Sequence, residues 1–266
     1  MYPAPNPLRV KLAAGECIAG MYIQTASPDC VEIAAAAGYD YAIIDQEHGP
    51  FGYGETVALI RAAEASGICP VVRVPDHRAS EARKAVEAGA MGVYVPDVRT
   101  AAQAVAAVAA VRFRVDGDGG MRGACPTVRA ARGRGAAEWD RYVAWSNENV
   151  MVTLLVESEE GLANLDAILA VPGIDMVALG RFDLAHEMGL DGDRYGRVIG
   201  DIFETFVAAA ERAGVPYVTR LRPADAAAMR AERLQWVARG ARNFTTGSDR
   251  EFMAKAFAAA LAPMRD

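Results

Sequence analysis

The sequence predicts a single α/β domain over residues 1–266, in which eight parallel strands close into a (β/α)8 TIM barrel. Apolar segments rich in Val, Ile and Tyr alternate eight times with helical patterns, and no Pro-, Ser- or Gly-rich linker divides the chain. Residues 42–44, Ala-Ile-Ile, are continuously apolar, as a strand covered on both faces of a parallel sheet requires. Eight such units in about 250 residues fit a barrel more economically than an open doubly wound sheet.

The elements follow one another in a regular order. The predicted strands are Cys17–Gln24, Tyr41–Gln46, Pro70–Val74, Gly92–Pro96, Met151–Val156, Met176–Gly180, Tyr217–Leu221 and Asn243–Thr246. The helices that follow them in turn are Pro28–Ala37, Glu55–Ser66, Ala79–Ala88, Thr100–Arg112, Glu159–Leu169, Arg197–Ala213, Pro223–Arg239 and Asp249–Leu261. Several of these helices end in a pair that suits a left-handed cap, as at Ala88-Gly89 and Ala213-Gly214.

A Gly- and Arg-rich insertion at about 113–136 interrupts this alternation between the fourth helix and the fifth strand. Its glycines and arginines are Gly117, Gly119, Gly120, Gly123, Gly133, Gly135, Arg114, Arg122, Arg129, Arg132 and Arg134. An insertion of this size is either a mobile surface loop or a cover over an active site, and its position in the sequence does not decide between them.

Composition and charge favour a small-molecule partner. The chain carries 28 Lys plus Arg against 34 Asp plus Glu, for a net charge of −6, whereas nucleic acids and anionic membranes are bound by positive surfaces. The Ala-rich runs are broken before they could span a bilayer, and no secretion signal is recognisable, so we expect a cytoplasmic location. The four cysteines have no CxxC spacing, which fits neither a zinc site nor a disulfide framework.

Acidic residues close two neighbouring strands of the predicted barrel, at the end where barrel enzymes carry their catalytic groups. Glu157 follows the fifth strand and Asp183 follows the sixth. Glu157 alone could simply stabilise the start of the next helix. Two neighbouring carboxylates repel each other unless a proton or a cation lies between them, and Mg²⁺ needs only one or two protein carboxylates. The pair is therefore a candidate metal site.

His48 and Arg73 are the other chemical candidates at strand ends. Asp45 precedes His48 by three residues, close enough to orient the imidazole and raise its basicity. The alternative is a histidine that only satisfies hydrogen bonds in its loop. Arg73 ends an apolar strand, where it either forms a structural ion pair or grips an anion in the barrel mouth. The other histidines, His77 and His186, are expected to be solvated surface residues.

Several separated segments together resemble the HpcH/HpaI aldolases, a family of metal-dependent pyruvate aldolases. The resemblance covers nearly the whole chain and is most specific at GYDYAIIDQEHGP (38–50), PVVRVP (70–75), EAGAMGVYVPDV (87–98), LLVESEEGLANLDAILAVPGID (154–175) and ALGRFDLAHEMG (178–189). Their order along the chain agrees with that of the family. A single one of these segments would be a weak signal.

The resemblance implies a divalent-metal-dependent (class II) aldolase that cleaves or forms a 4-hydroxy-2-oxo acid through a pyruvate enolate. It implies that Glu157 and Asp183 bind Mg²⁺, Mn²⁺ or Co²⁺. Arg73 would hold the carboxylate or enolate of the 2-oxo acid, and His48, oriented by Asp45, would be the general acid/base. The second substrate would be an aldehyde. The family also implies a homo-oligomer, a trimer or hexamer, in which C-terminal helices are exchanged between barrels.

The sequence is also compatible with two alternative functions. A related lyase could apply the same enolate chemistry to oxaloacetate decarboxylation, acyl-CoA cleavage or biosynthetic carbon–carbon bond formation. A non-catalytic homologue could bind a 2-oxo acid as a sensor or assembly subunit, but retention of His48 and both metal carboxylates argues against it.

The sequence departs from the family around the predicted substrate pocket. Gly180-Arg181-Phe182 stands where the family commonly has Gly-Pro-Ala or Gly-Pro-Asn, and Leu155 replaces a common Gln. We expect Gly180, Arg181 and Phe182 to contact substrate. Arg181 and Arg220 either bind an anionic group of the second substrate or pair with surface carboxylates.

The lysines argue against a Schiff-base aldolase. The chain has three, Lys11, Lys84 and Lys255, and the predicted elements place none of them at the end of a barrel strand. An imine-forming lysine would have to lie there. The absence of such a lysine favours a metal for enolate stabilisation.

Overall fold

Eight parallel strands form one sheet in the computed structural model, which describes residues 4–117, 119–133, 136–221 and 225–265. The strands are β1 (Ile18–Ile23), β2 (Tyr41–Asp45), β3 (Cys69–Arg73), β4 (Gly92–Val95), β5 (Met151–Val156), β6 (Met176–Leu179), β7 (Val218–Arg220) and β8 (Asn243–Ser248). Each lies within two residues of its predicted bounds.

The strand order is that of a barrel. Each strand pairs with its sequence neighbour from β1 to β6, and β1 also pairs with β8, which pairs with β7. Strands β6 and β7 meet only at one parallel bridge, between Val177 and Tyr217. The barrel is therefore nearly closed, and the predicted TIM-barrel-like α/β fold is confirmed.

Helices connect the strands along the outside of the barrel. They are α1 (Pro7–Ala13), α2 (Pro28–Ala36), α3 (Tyr53–Ser66), α4 (Ala79–Ala88), α5 (Ala101–Val111), α6 (Trp139–Asn149), α7 (Glu159–Ala163), α8 (Leu165–Leu169), α9 (Arg181–Glu187), α10 (Gly192–Ala213), α11 (Ala226–Ala238) and α12 (Asp249–Leu261). The caps after α4 and α10 are left-handed glycines, Gly89 and Gly214, as predicted. The predicted helix 159–169 breaks at Asn164, and the predicted start at Pro223 lies outside the described residues.

The strands carry two apolar layers because successive side chains of a strand point to opposite faces. Tyr41 and Ile43 of β2 point into the barrel interior, whereas Ala42 and Ile44 face the surrounding helices. Leu8 of α1 packs into the interior cluster, so α1 closes the barrel at the amino ends of the strands. The opposite end, at the carboxyl ends of the strands, stays open.

The described part of the insertion packs near the closed end of the barrel. Arg122 is buried and donates to Ser146 Oγ and Tyr142 Oη, both at 2.7 Å, with its guanidinium over the Phe113 ring. Arg129 donates to the carbonyl oxygen of Ala88, at the carboxyl end of α4. These contacts hold the described insertion away from the open end of its own barrel, while residues 118, 134 and 135 lie outside the described residues.

Helix α12 is exposed along most of its length. Apart from the short turn that follows it, its main contacts are with β1 and β8, and Phe257 is 70% exposed. Phe252, Leu261 and Met264 add further exposed apolar area. Among the described helices, none has the length and apolar character needed to cross a bilayer.

Candidate active site

A cleft of about 330 Å³ opens at the carboxyl ends of the strands. Its walls include every strand-end residue predicted for catalysis or metal binding except Asp45, which is fully buried and bonds to the cleft residues Arg73 and Gln24. The lining residues are Tyr22, Gln24, His48, Arg73, Leu155, Glu157, Ala178, Leu179, Gly180, Arg181, Phe182, Asp183, Val218, Arg220, Thr245 and Ser248. The barrel thus brings together residues that are as far apart in the sequence as Tyr22 and Ser248.

Asp45 and Arg73 form a buried bidentate pair between neighbouring strands. The register of β2 and β3 sets them side by side. Arg73 Nε donates to Asp45 Oδ1 at 2.8 Å, and Nη2 donates to Oδ2 at 2.6 Å. Burial opposes ionisation of Asp45, but the hydrogen bonds and charge of Arg73 outweigh it and hold the pKa of Asp45 below its ordinary value. Arg73 is therefore locked in place and remains charged.

Glu47 is an acidic residue of the site that the sequence reasoning did not single out. Its Oε2 lies 2.9 Å from Arg73 Nη1. Burial, with contributions from the charges of Asp45, Asp183 and Asp97, raises the pKa of Glu47 to about 7 although Arg73 opposes the shift. The signal available in the sequence was its position in the strand-end segment between Asp45 and His48.

His48 lies at the rim of the cleft with its side chain 51% exposed. The predicted orienting contact with Asp45 takes a different form: Asp45 Oδ1 accepts from the backbone N–H of His48 at 3.3 Å. The carboxylate facing the imidazole is that of Glu47, with Oε2 3.8 Å from Nε2. Asp45 thus shapes the turn that carries His48, because its carboxylate is already engaged by Arg73.

Glu157 is held in one orientation by two backbone features. Its Oε1 accepts from the N–H of Asp97 at 2.7 Å, and Asp97 adopts a left-handed backbone with φ 50° that few non-glycine residues tolerate. On its other side lies Gly180, where any Cβ would collide with Oε2 and Cβ of Glu157. This arrangement leaves the Glu157 carboxylate facing the cleft.

The carboxylates around Glu157 destabilise its charged form. Burial first, and then the charge of Glu47, raise the pKa of Glu157 to about 7, and Asp183 adds to the rise. Among the described residues, no three Asp, Glu, His or Cys side chains surround a common point closely enough to enclose a metal ion. Carboxylates that destabilise each other are nevertheless the donors a hard divalent cation requires, and one or two suffice for Mg²⁺. Glu157 and Asp183 therefore fit a partly water-coordinated metal.

The residues that depart from the common family pattern make different contacts. The guanidinium carbon of Arg181 lies 3.6 Å from the centre of the Phe203 ring on α10, while other atoms of Arg181 line the cleft. Phe182 is 70% exposed at the cleft wall. Arg220 Nη2 donates to Glu251 Oε2 at 3.3 Å, so it does pair with a carboxylate. Leu155 contributes an apolar side chain to the wall.

Two further cleft residues, Tyr22 and Gln24, escaped the sequence reasoning. They lie at the end of β1, where no charged residue marked a strand end. The guanidinium of Arg73 lies 5.0 Å from the centre of the Tyr22 ring, within cation–π range. Gln24 Nε2 donates to Asp45 Oδ2 at 2.9 Å. Their polar groups within a strand-end segment were the available signal.

Comparison with known proteins gives a consistent result. The profile of the HpcH/HpaI aldolase/citrate lyase family matches residues 19–255. A 4-hydroxy-2-oxovalerate aldolase from Novosphingobium aromaticivorans is 37% identical over 215 residues, 79% of each chain. A 5-keto-4-deoxy-D-glucarate aldolase from Salmonella arizonae is 32% identical over 245 residues, 92% of this chain and 91% of that one.

A solved structure agrees over almost the whole fold. An HpcH/HpaI aldolase/citrate lyase family protein from Burkholderia cenocepacia J2315 superposes with a TM-score of 0.85 at 30% identity, covering 98% of this chain and all of that one. The named relatives are aldolases, which are carbon–carbon lyases. The cleft, its residues and these similarities lead to one conclusion: the chain belongs to the HpcH/HpaI aldolase/citrate lyase family.

Proposed function

We propose that this enzyme is a divalent-metal-dependent aldolase that cleaves or forms a 4-hydroxy-2-oxo acid, with pyruvate as the nucleophilic component. The proposal rests on one observation: a fixed positive charge and a pair of negative charges line the same cleft. A locked guanidinium, Arg73, lies in the same pocket as the mutually repelling carboxylates Glu157 and Asp183. A 2-oxo acid at neutral pH offers a negative carboxylate to the first, and a cation would neutralise the second.

The metal would be held by Glu157 and Asp183. The family is in general divalent-metal dependent, and the oxygen donors suit Mg²⁺, Mn²⁺ or Co²⁺. When bound, such an ion supplies Lewis-acid stabilisation of charge that develops on the keto oxygen of the substrate. The Asp97 N–H and the missing Cβ at Gly180 would orient the Glu157 carboxylate for this task.

The side chains of the cleft have distinct proposed roles. Arg73 binds the carboxylate of the 2-oxo acid, and its pairing with Asp45 keeps the guanidinium oriented before substrate arrives. His48 removes the proton of the 4-hydroxyl group during cleavage and returns it during condensation. Its exposed position at the rim suits contact with the second substrate.

The wall opposite His48 would select the aldehyde. Gly180, Arg181 and Phe182 would contact it, and the exposed Phe182 ring offers an apolar surface at the cleft wall. The names of the relatives, a 4-hydroxy-2-oxovalerate aldolase and a 5-keto-4-deoxy-D-glucarate aldolase, indicate aldehydes of different polarity. A screen of aldehydes of different polarity would identify the second substrate.

The exposed C-terminal helix supports a proposal for assembly. Phe257 and Met264 are 70% and 82% exposed, which is costly for large apolar side chains in water. A homo-oligomer, a trimer or hexamer that exchanges this helix between barrels, would cover them. We further propose that the enzyme acts in the cytoplasm.

Exchange of the C3 protons of pyruvate for deuterium tests the reaction class directly. We expect exchange with Mg²⁺, Mn²⁺ or Co²⁺, its loss in EDTA, and its recovery when excess metal is restored. Exchange that persists unchanged in EDTA after prolonged dialysis would overturn the metal-dependent mechanism. A panel of aldehydes, oxaloacetate and acyl-CoA thioesters then separates an aldolase from the related lyases.

A further inference from the structure

A continuous line of hydrogen bonds joins the Asp45–Arg73 pair to the first turn of α12. Gln24 occupies its centre. Its side-chain Nε2 donates to Asp45 Oδ2, and its backbone N–H donates to Asp249 Oδ1, both at 2.9 Å. Gln24 lines the cleft and Asp249 is buried, so the line runs from the substrate site to the start of the C-terminal helix.

Asp249 binds the backbone of the chain just after β1. Gly20 pairs with Thr245 but Tyr22 pairs with Ser248, so the register slips before β8 turns into α12. Strand β1 ends at Ile23, and Gln24 and Thr25 follow its last paired residue. Asp249 Oδ2 accepts from the N–H of Thr25 at 3.1 Å, and the Thr25 hydroxyl also bonds to it. The carboxylate thus satisfies backbone N–H groups that follow the strand.

Capping of α12 does not require this carboxylate. Ser248 is the N-cap residue, and its Oγ accepts from the N–H of Glu251 at 3.2 Å. Asp249 also accepts from the N–H of Arg250, but its bonds to Gln24 and Thr25 lead across to another strand. The remaining side chains of the helix are mostly exposed, so the first turn is its attachment to the barrel.

We propose that Gln24 is a positioning residue that orients the Asp45 carboxylate, and through it Arg73, and that Asp249 fixes Gln24 so that the seating of α12 sets the geometry of the active site. In this role neither residue contacts the reacting atoms of the substrate. Gln24 acts on Arg73 through Asp45, and Asp249 acts on Gln24 through the backbone. The activity readout of this inference depends on the proposed function, whereas the titration readout below does not.

Two variants and one control test the proposal. Gln24→Met keeps the size of the side chain and removes the N–H donor. Asp249→Asn keeps the shape but offers a single acceptor oxygen for the backbone amides of Gln24, Thr25 and Arg250. Tyr39→Phe is the control, because it removes a 2.7 Å hydroxyl contact with Thr246 of β8 outside this line.

Calorimetry with pyruvate and Mn²⁺ gives the first readout. Losing a hydrogen bond to a charged group should weaken pyruvate binding by about tenfold in Gln24→Met and Asp249→Asn, while Tyr39→Phe stays within about twofold. The double variant should be no worse than the weaker-binding single variant, because both act through one line. Additive losses would show two separate structural effects and would overturn the coupling to α12.

A carboxyl-¹³C titration of Asp45 in the substrate-free protein gives an independent readout. Asp45 faces Arg73 and Gln24, with Glu47 and Tyr22 in its electrostatic surroundings. Gln24→Met should raise the pKa of Asp45, because one hydrogen bond to its charged form is lost. An unchanged Asp45 titration together with unchanged pyruvate affinity would overturn the role of Gln24. If the unmodified enzyme exchanges no pyruvate protons, the proposed function fails, and the titration still decides the positioning role.

Discussion

The guanidinium of Arg73 grips both oxygens of the Asp45 carboxylate, and the two side chains are 9% and 0% exposed. This buried pair is aligned by the β2–β3 register and reaches the floor of the cleft. Its geometry makes the orientation of Arg73 a property of the folded barrel that exists before substrate arrives.

Replacement of Arg73 by Lys should disable 2-oxo acid binding. Lysine keeps the charge but cannot donate to both Asp45 oxygens in parallel. We expect pyruvate affinity, measured by calorimetry with Mn²⁺, to fall tenfold or more. Asp45→Asn should lower the free energy of unfolding in urea by about 3 kcal/mol, because the buried guanidinium loses its bidentate charged partner and keeps only the contact with Glu47.

The exposed Arg78–Asp76 pair provides the matched control for these variants. Arg78→Lys should change neither pyruvate affinity nor stability by more than about 0.5 kcal/mol, since an exposed pair contributes little. Equal effects at Arg73 and Arg78 would contradict the importance given to the buried pair.

Gly180→Ala should impair metal binding. The added Cβ would collide with Glu157, so either the Glu157 carboxylate or the backbone at the end of β6 must shift. We expect Mn²⁺ affinity, followed by titration calorimetry, to drop about tenfold or more, as with other changes to residues that orient a metal ligand. Gly196→Ala in α10 is the control, because the new methyl group would have none of the described atoms within 4 Å apart from its chain neighbours and the backbone of its own helix. Unaltered Mn²⁺ affinity in Gly180→Ala would refute this role for the glycine.

The stability of the metal-free protein should fall as pH rises from about 5 to 8. The pKa values of Glu47 and Glu157 are raised to about 7 in the fold, so the folded protein binds more protons than the unfolded chain in this window. The stability that these two groups contribute is fully present below their pKa values in the unfolded chain, and it is lost as pH rises through their pKa values in the folded protein. Asp45, whose pKa is lowered, stays ionised throughout and does not reverse the trend.

Thermal unfolding in EDTA across this range provides the measurement. Glu157→Gln should flatten the decline and raise Tm at pH 8, because one of the repelling charges is removed. Mn²⁺ should raise Tm of the unmodified protein most strongly above pH 7, where the carboxylates of Glu47 and Glu157 are ionised. A Tm that increases with pH in EDTA would be incompatible with these shifts.

His48→Asn should separate catalysis from binding. His48 lies at the rim, whereas the backbone of Asp97 and Gly180 orients Glu157. We expect cleavage of a 4-hydroxy-2-oxo acid to slow by about 10²–10⁴-fold, the usual contribution of a general acid/base, with pyruvate affinity retained. His186→Asn, an exposed residue of α9, is the control for loss of an imidazole. Retained cleavage in His48→Asn would remove His48 from the mechanism.

Sequence periodicity was sufficient to predict the barrel and to place most of the candidate residues at the ends of its strands. Continuous apolar strands and left-handed caps such as Gly89 are local signals, and the carboxyl ends of parallel strands must converge once a barrel closes. Arg73, Glu157 and Asp183 could therefore be assigned to one site in advance. The absence of a lysine from every strand end, which argued against an imine, was equally a matter of order along the chain.

Contacts between elements decided the remaining features, because they depend on register and on the path of loops in three dimensions. Asp45 follows from sequence as a neighbour of His48, yet the β2–β3 register gives its carboxylate to Arg73 and leaves Glu47 facing the imidazole. The pairing of β1 with β8 brings Asp249, more than 200 residues away, to Gln24. The described part of the insertion packs near the closed end, where buried Arg122 donates to the hydroxyl groups of Ser146 and Tyr142. The sequence shows which residues are able to make such contacts. Only the folded chain brings the partners within hydrogen-bonding distance.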